Sequence, residues 1–427
     1  MAVDFYKEDL GGGVTLGRVT DKKFKCCSVK IAFITKNTYD ATAKNALLFS
    51  VLSTSNAKLP SRLALAEETE GLYGTYLSAF SAKSGDMICS GLSCAFISDV
   101  NTIGKEIIST KAVQLMLDCL FEPHLEDGLF NEEIFSQKQK ELSDSIAASV
   151  NNKRAYAIRE ARKVIFKDEP AMYSDYGSPD DALSVTRQDL LDYYKMLRET
   201  AAIEISISGD GTTAECEALI KKAFEPFTKR AVAPVRFRSN SPLKPEPVFA
   251  GEDARINQSK MVMAFKSDYE DIYTVKLFCT LFGTAQFSML FENVRERLSL
   301  CYYCPSVYVD TKGTMIVDCG VETANIEAAK DEIIRQLSEA AAGAFSDELL
   351  ENSKRYICDS FKSNYDSPFD MQDWYIVQTR RGTAFSPDEI CARFNAVTRQ
   401  EIEQCAASFK LDTVYTLKAV SEVSGDE

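Results

Sequence analysis

The sequence predicts an α+β fold made of two duplicated halves, each an antiparallel-rich sheet with helices packed on one face. Three observations point there. The tetrapeptide VTRQ occurs twice, from Val185 and from Val397, and each copy offers a threonine N-cap, Thr186 or Thr398, with Asp189 or Glu401 three residues on. That spacing is a capping box, so a helix starts at equivalent points in both halves. Gly85-Asp86-Met87-Ile88 matches Gly313-Thr314-Met315-Ile316, each a turn glycine followed by a strand, and Leu72 pairs with Leu300 at the same offset. FNEEI from Phe130 resembles FSDEL from Phe345, each opening a long helical stretch. The matches keep their order while their offsets drift, as loops of different length produce.

Taken in order, each half begins with strand, KCCSVKIAFI from Lys25 and QSKMVMAF from Gln258. Helices, a strand hairpin and a long helical region follow. Each half closes on a late strand, AAIEISIS from Ala201 and TVYTLKAV from Thr413. Long helices segregated from antiparallel strands make an α+β architecture. The stretch 229–254 holds four prolines and little periodicity, and reads as a linker. The expected division is a domain over 1–230, a linker over 231–252 and a domain over 253–427.

The length of 427 residues suits two domains. A net charge of -14 argues against a nucleic-acid partner, which needs a basic face. The N-terminus, MAVDFYKEDLGGG, has neither a charged n-region nor an apolar core, and no run approaches the roughly 20 apolar residues of a membrane span. A cytoplasmic protein with no membrane partner is the expectation.

Several features carry no chemistry on this reading. Gly11-Gly12-Gly13 precedes a strand, whereas a dinucleotide loop follows one. SGDGTTAE (208–215) lacks the lysine of a phosphate loop and reads as a capped strand-to-helix turn. His124 is the only histidine, so no two-histidine metal site can be built, and it is placed in a surface loop. Thirteen scattered cysteines form no disulfide framework. The one CxxC, Cys301 to Cys304, lies in a predicted strand. Positions i and i+3 of a strand face opposite ways, so the two thiols are expected to pack rather than share a metal.

The most distinctive stretch is FSMLFENVRERLSLCYY (287–303), where Met289, Leu290, Val294 and Leu298 make a buried helical stripe before an aromatic strand. Here the chain resembles a family. LFENVRERLSLCYY is similar to the second-half signature of the pitrilysin/insulinase zinc peptidases, in the size class of the mitochondrial processing peptidase subunits. KLPSRLALAEETEGLYGTYLSAFSAKSGD, from Lys58, is similar to the region after that family's zinc helix.

The resemblance implies that Arg295 and Tyr302 bind the peptide substrate and support its scissile carbonyl. It also locates a loss. The family's HxxEH zinc motif falls on Ala46, Phe49 and Ser50, and its third ligand falls at Ser145, with Glu141 and Asp144 nearby. Shifting the frame by one residue restores no ligand pair. The resemblance therefore implies no cofactor in this chain, and zinc only in a partner. The implied partners are a zinc-bearing paralogous peptidase subunit, in a dimer, and a peptide or unfolded protein substrate. A scaffold of the same fold without a role in proteolysis, or an independent enzyme using other residues, are the alternatives.

Overall fold

The computed structural model describes residues 3–420. The chain folds into two compact units. The first comprises the residues up to Ala147, Tyr173–Phe237 and Ser363–Phe385; the second comprises Ala148–Met172, Arg238–Lys362 and the residues from Ser386 on. Neither unit is contiguous. Each holds a segment drawn from the other side of the linker, an exchange that the sequence did not lead us to expect.

The first unit is built on β1 (Asp4–Gly11), β2 (Val14–Thr20), β3 (Cys26–Lys36), β4 (Tyr76–Ser84) and β5 (Met87–Ile97). A two-strand ladder of β6 (Leu125–Glu126) and β7 (Leu129–Phe130) stands apart, and β8 (Ala202–Gly209) completes the main sheet in the order β1-β2-β8-β3-β5-β4. Strands β2 and β8 pair in parallel; the other neighbours are antiparallel. Strand alternation sends Val29, Ile31 and Phe33 of β3, with Ile203, Ile205 and Ile207 of β8, to one face, where helices Tyr39–Leu52, Ser109–Phe121 and Arg187–Thr200 bury them. Each such residue contributes about 1.5–3 kcal/mol on burial.

The second unit repeats this plan. Its strands are β9 (Val248–Ala254), β10 (Ser259–Lys266), β11 (Cys301–Tyr303), β12 (Ser306–Val309), β13 (Thr314–Val321) and β14 (Lys410–Ala419). Their order is β11-β13-β10-β14-β9, with β12 also on β13, and β9 runs parallel to β14. The order β2-β8-β3-β5 of the first sheet thus recurs as β9-β14-β10-β13, including the parallel pair. The turn glycines of the equivalent hairpins, Gly85 and Gly313, have φ +62 and +61, left-handed values that favour glycine. Thr186 and Thr398 both close capping boxes, accepting from the backbone N–H of Asp189 and Glu401.

The exchanged segments cover the second face of each sheet. Helix Pro368–Arg380 lies on the first unit. Gln372 donates to the carbonyls of Ser28 and Ser206, Arg380 pairs with Glu204, and Tyr375 stacks on Phe5 at 4.1 Å. Helix Lys153–Ile165 lies on the second unit, where Ala157, Ala161 and Ile165 pack against Val262, Ala264, Tyr415 and Leu417. Among the described residues no helix is long and apolar enough to cross a membrane.

Candidate functional site

In the first unit the zinc-motif positions fall on helix Tyr39–Leu52, whose Leu47, Leu48, Val51 and Leu52 are buried. Phe49 is only 2% exposed, and its ring lies 5.6 Å from that of Phe33 on β3. Ala46 and Ser50 are half-buried. An alanine methyl and a phenyl ring offer no lone pair, and the Ser50 carbonyl already accepts from the hydroxyls of Ser53 and Thr54. Ser145 is exposed on helix Glu132–Ser149. A hydroxyl there does not replace a carboxylate ligand. His124 is half-buried, with Nε2 3.7 Å from Glu126.

In the second unit, the segment after Leu290 departs from ordinary helix. Phe291–Arg297 is wound with wide turns, and the N–H of Leu298 donates to the carbonyl of Asn293, five residues back. One extra residue per turn rotates the phase of the helix. Met289, Leu290 and Val294 are buried as the stripe predicts, but Leu298 is 45% exposed. The stripe is therefore one residue shorter than the periodicity indicated. Arg295 is exposed, stacked over the Phe291 ring at 4.7 Å and 3.5 Å from Glu296.

Tyr302 sits at a bulge. Cys301 pairs with Val321 and Tyr303 with Gly320, so Tyr302 is an extra residue in β11. Its ring is 60% exposed and its hydroxyl donates to Glu322 at 3.1 Å. That hydrogen bond and the carboxylate charge raise the phenol above its ordinary pKa. Tyr303 takes the opposite face, under Arg154, whose guanidinium lies 4.4 Å from the ring centroid and forks onto Asp318 at 2.5 and 3.1 Å. Gly320 leaves room for this ring, since a Cβ there would meet it at 2.4 Å.

The bulge also overturns the reading of the CxxC. One inserted residue reverses the alternation, so Cys301 and Cys304 face the same way, together with Cys319 of β13. The three sulfurs lie within 4.8 Å of one another, and all three residues are buried. The thiols of Cys304 and Cys319 hold the Cys301 thiol below its ordinary range, and the Arg295 charge adds to this; those of Cys304 and Cys319 are raised.

Residues 184–357 match the family described as the peptidase M16 inactive domain. The chain is 25% identical over 417 residues to a probable inactive metalloprotease, YmfF, of Bacillus subtilis, covering 97% of each chain. The stretch 184–357 is thus similar to an M16 inactive domain, and the whole length of the chain is similar to that of YmfF. A conserved protein from Enterococcus faecalis superimposes with a TM-score of 0.90 at 25% identity, covering 98% of this chain and 99% of that one. The M16 inactive domain structure from Pseudomonas fluorescens, at 15% identity, shares the fold with a TM-score of 0.80 over 98% and 99% of the two chains.

The positions that the resemblance assigns to the zinc motif thus hold a methyl, a phenyl ring and two hydroxyls, while the second unit carries an exposed arginine and tyrosine. The sequence placed all six residues on helix or strand as the structure does. It missed Cys319 as a companion of the CxxC. The only signal was the cysteine in DCGV, on the strand after the hairpin turn, and the bulge that brings it into play leaves no mark in hydrophobic alternation.

Proposed function

We propose that this chain is the non-catalytic subunit of a heterodimeric zinc peptidase. It supplies chamber wall and the substrate-binding pair Arg295 and Tyr302 to an active, zinc-bearing paralogue that processes peptides or unfolded protein. The observation that carries this reading is the contrast between the two sets of positions. Ala46, Phe49 and Ser50 have lost every metal donor that the peptidase needs, whereas Arg295 and Tyr302 keep their polar groups at the surface. Both side chains are exposed, Arg295 on its wide-turned helix and Tyr302 on its bulge. Arg295 offers a fixed fork of donors for peptide carbonyls, and the Tyr302 phenol offers one donor to a developing oxyanion.

The test reconstitutes the chain with its zinc-bearing paralogue and follows cleavage of a fluorogenic peptide mixture. Arg295→Ala and Tyr302→Phe are expected to leave heterodimer formation and melting nearly intact while kcat falls by about 10²–10³ per lost donor. Unchanged cleavage in both variants, with partner binding preserved, moves the protein to a scaffold role.

A further inference from the structure

We propose that Cys301, Cys304 and Cys319 form a binding site for one soft monovalent metal ion of the copper(I) class. The site is separate from the lost zinc positions, which lie in the other compact unit.

The geometry comes first. The three sulfurs are mutually within 4.8 Å. Thiolates about 2.3 Å from a common ion stand roughly 3.8–4.0 Å apart. Contraction of less than about 1 Å, within reach of small side-chain rotations, brings all three onto one ion. The backbone is already arranged for it, because the bulge at Tyr302 turns Cys301 and Cys304 to the face of Cys319.

The donor set selects the ion. Among the described residues no histidine or carboxylate joins the three sulfurs. Asp318, next to Cys319 in sequence, points to the opposite face and is held by Arg154. Structural zinc closes a tetrahedron with four ligands, and iron–sulfur clusters use four cysteines. The three residues are 8%, 6% and 1% exposed, which leaves little room for water as a fourth ligand. Soft thiolates without nitrogen or oxygen donors favour copper(I), which is satisfied by three. The thiol protons leave to solvent on binding, so affinity rises with pH. An ion here would also fix the bulge that presents Tyr302.

The experiment uses the full chain, reduced and kept anaerobic, titrated with copper(I) from a chromogenic chelator and, in parallel, with zinc(II). One equivalent of copper(I) is expected to be retained against the chelator, with a thiolate-to-copper charge-transfer band in the ultraviolet. Slow alkylation through local opening of the protein, followed over hours and read by mass spectrometry, is expected to show copper-dependent slowing at Cys301, Cys304 and Cys319, and none at the exposed Cys26. Cys304→Ser should weaken binding by more than the roughly 10–100-fold that disturbing an outer-shell partner costs. Cys358→Ser, in the separate Cys358–Cys391 pair, should leave binding unchanged. The alkylation readout on the unaltered chain decides the matter even if Cys304→Ser misfolds. Tighter retention of zinc than of copper(I), or protection spread over the other cysteines, overturns the proposal.

Discussion

Replacing Asp412 by alanine should be among the most damaging single changes in the second unit. Asp412 is the bulged residue of β14, between Leu411 and Thr413, and is fully buried. One carboxylate oxygen accepts from Lys244 Nζ at 2.5 Å and Thr413 Oγ1 at 2.7 Å; the other accepts from the Lys244 backbone N–H and lies 3.0 Å from Lys266 Nζ. Both lysines also donate to the carbonyl of Ile165, so this cluster fastens the end of exchanged helix Lys153–Ile165 to its sheet. Lys266 is only 4% exposed, and removing its carboxylate partner leaves a buried ammonium group to the carbonyls of Ile165 and Pro242. Such a change costs about 3–5 kcal/mol. For a domain of this size that lowers Tm by about 6–20 °C. Burial alone would raise the Asp412 carboxyl, but hydrogen bonds from Lys244, Thr413 and Lys266 outweigh it and hold it below its ordinary value. The sign follows: the stabilisation is complete above the unfolded aspartate pKa of about 4 and is lost as pH falls through the lower folded value. Denaturant melts of wild type and Asp412→Ala should therefore differ fully at neutral pH and converge in acid. Adding Lys266→Met to Asp412→Ala should recover much of the loss. A single-variant loss below about 1 kcal/mol, or a double variant whose losses simply add, would refute this account of the buried charges.

Thr186→Ala and Thr398→Ala should each cost about 0.5–2 kcal/mol in denaturant unfolding, since each removes the cap of an equivalent helix. Phe49→Ala should cost about 3–5 kcal/mol by opening a cavity beside Phe33, and Phe49→Glu should be worse because it puts a carboxyl in the same apolar space; calorimetry compares them. Any zinc found by elemental analysis after gentle purification should be insensitive to Ser50→Ala and Ser145→Ala, because neither position presents a ligand set.

What the sequence made legible was local or repeated. The capping boxes at Thr186 and Thr398 depend on residues three apart, and the hairpin glycines Gly85 and Gly313 on their own backbone angles, so both could be read directly. The absence of an HxxEH motif was equally plain, because the chain has a single histidine. The exchanged helices were not legible. Ala157, Ala161 and Ile165 give an apolar stripe that would suit either sheet, and only the topology decides which one it meets. Nor were the two register changes. The wide turns at Phe291–Arg297 and the bulge at Tyr302 each insert one residue into a regular period, exposing Leu298 and turning Cys304 round. Periodicity arguments assume that no such residue is inserted.

The exchange of helices sets a timetable for the growing chain. The first unit's sheet is synthesised by Gly209, yet helix Pro368–Arg380, whose Met371 and Tyr375 pack with Val19 and Phe24, emerges from the ribosome only after most of the second half. At about 5–20 residues per second this is a wait on the order of ten seconds. Through that interval one face of a finished sheet lacks its cover, and Glu204 lacks the guanidinium of Arg380. Nascent chains stalled before residue 368 should therefore be strong clients for holding chaperones. Cutting the gene at the linker should yield two fragments that are each insoluble alone and soluble when produced together.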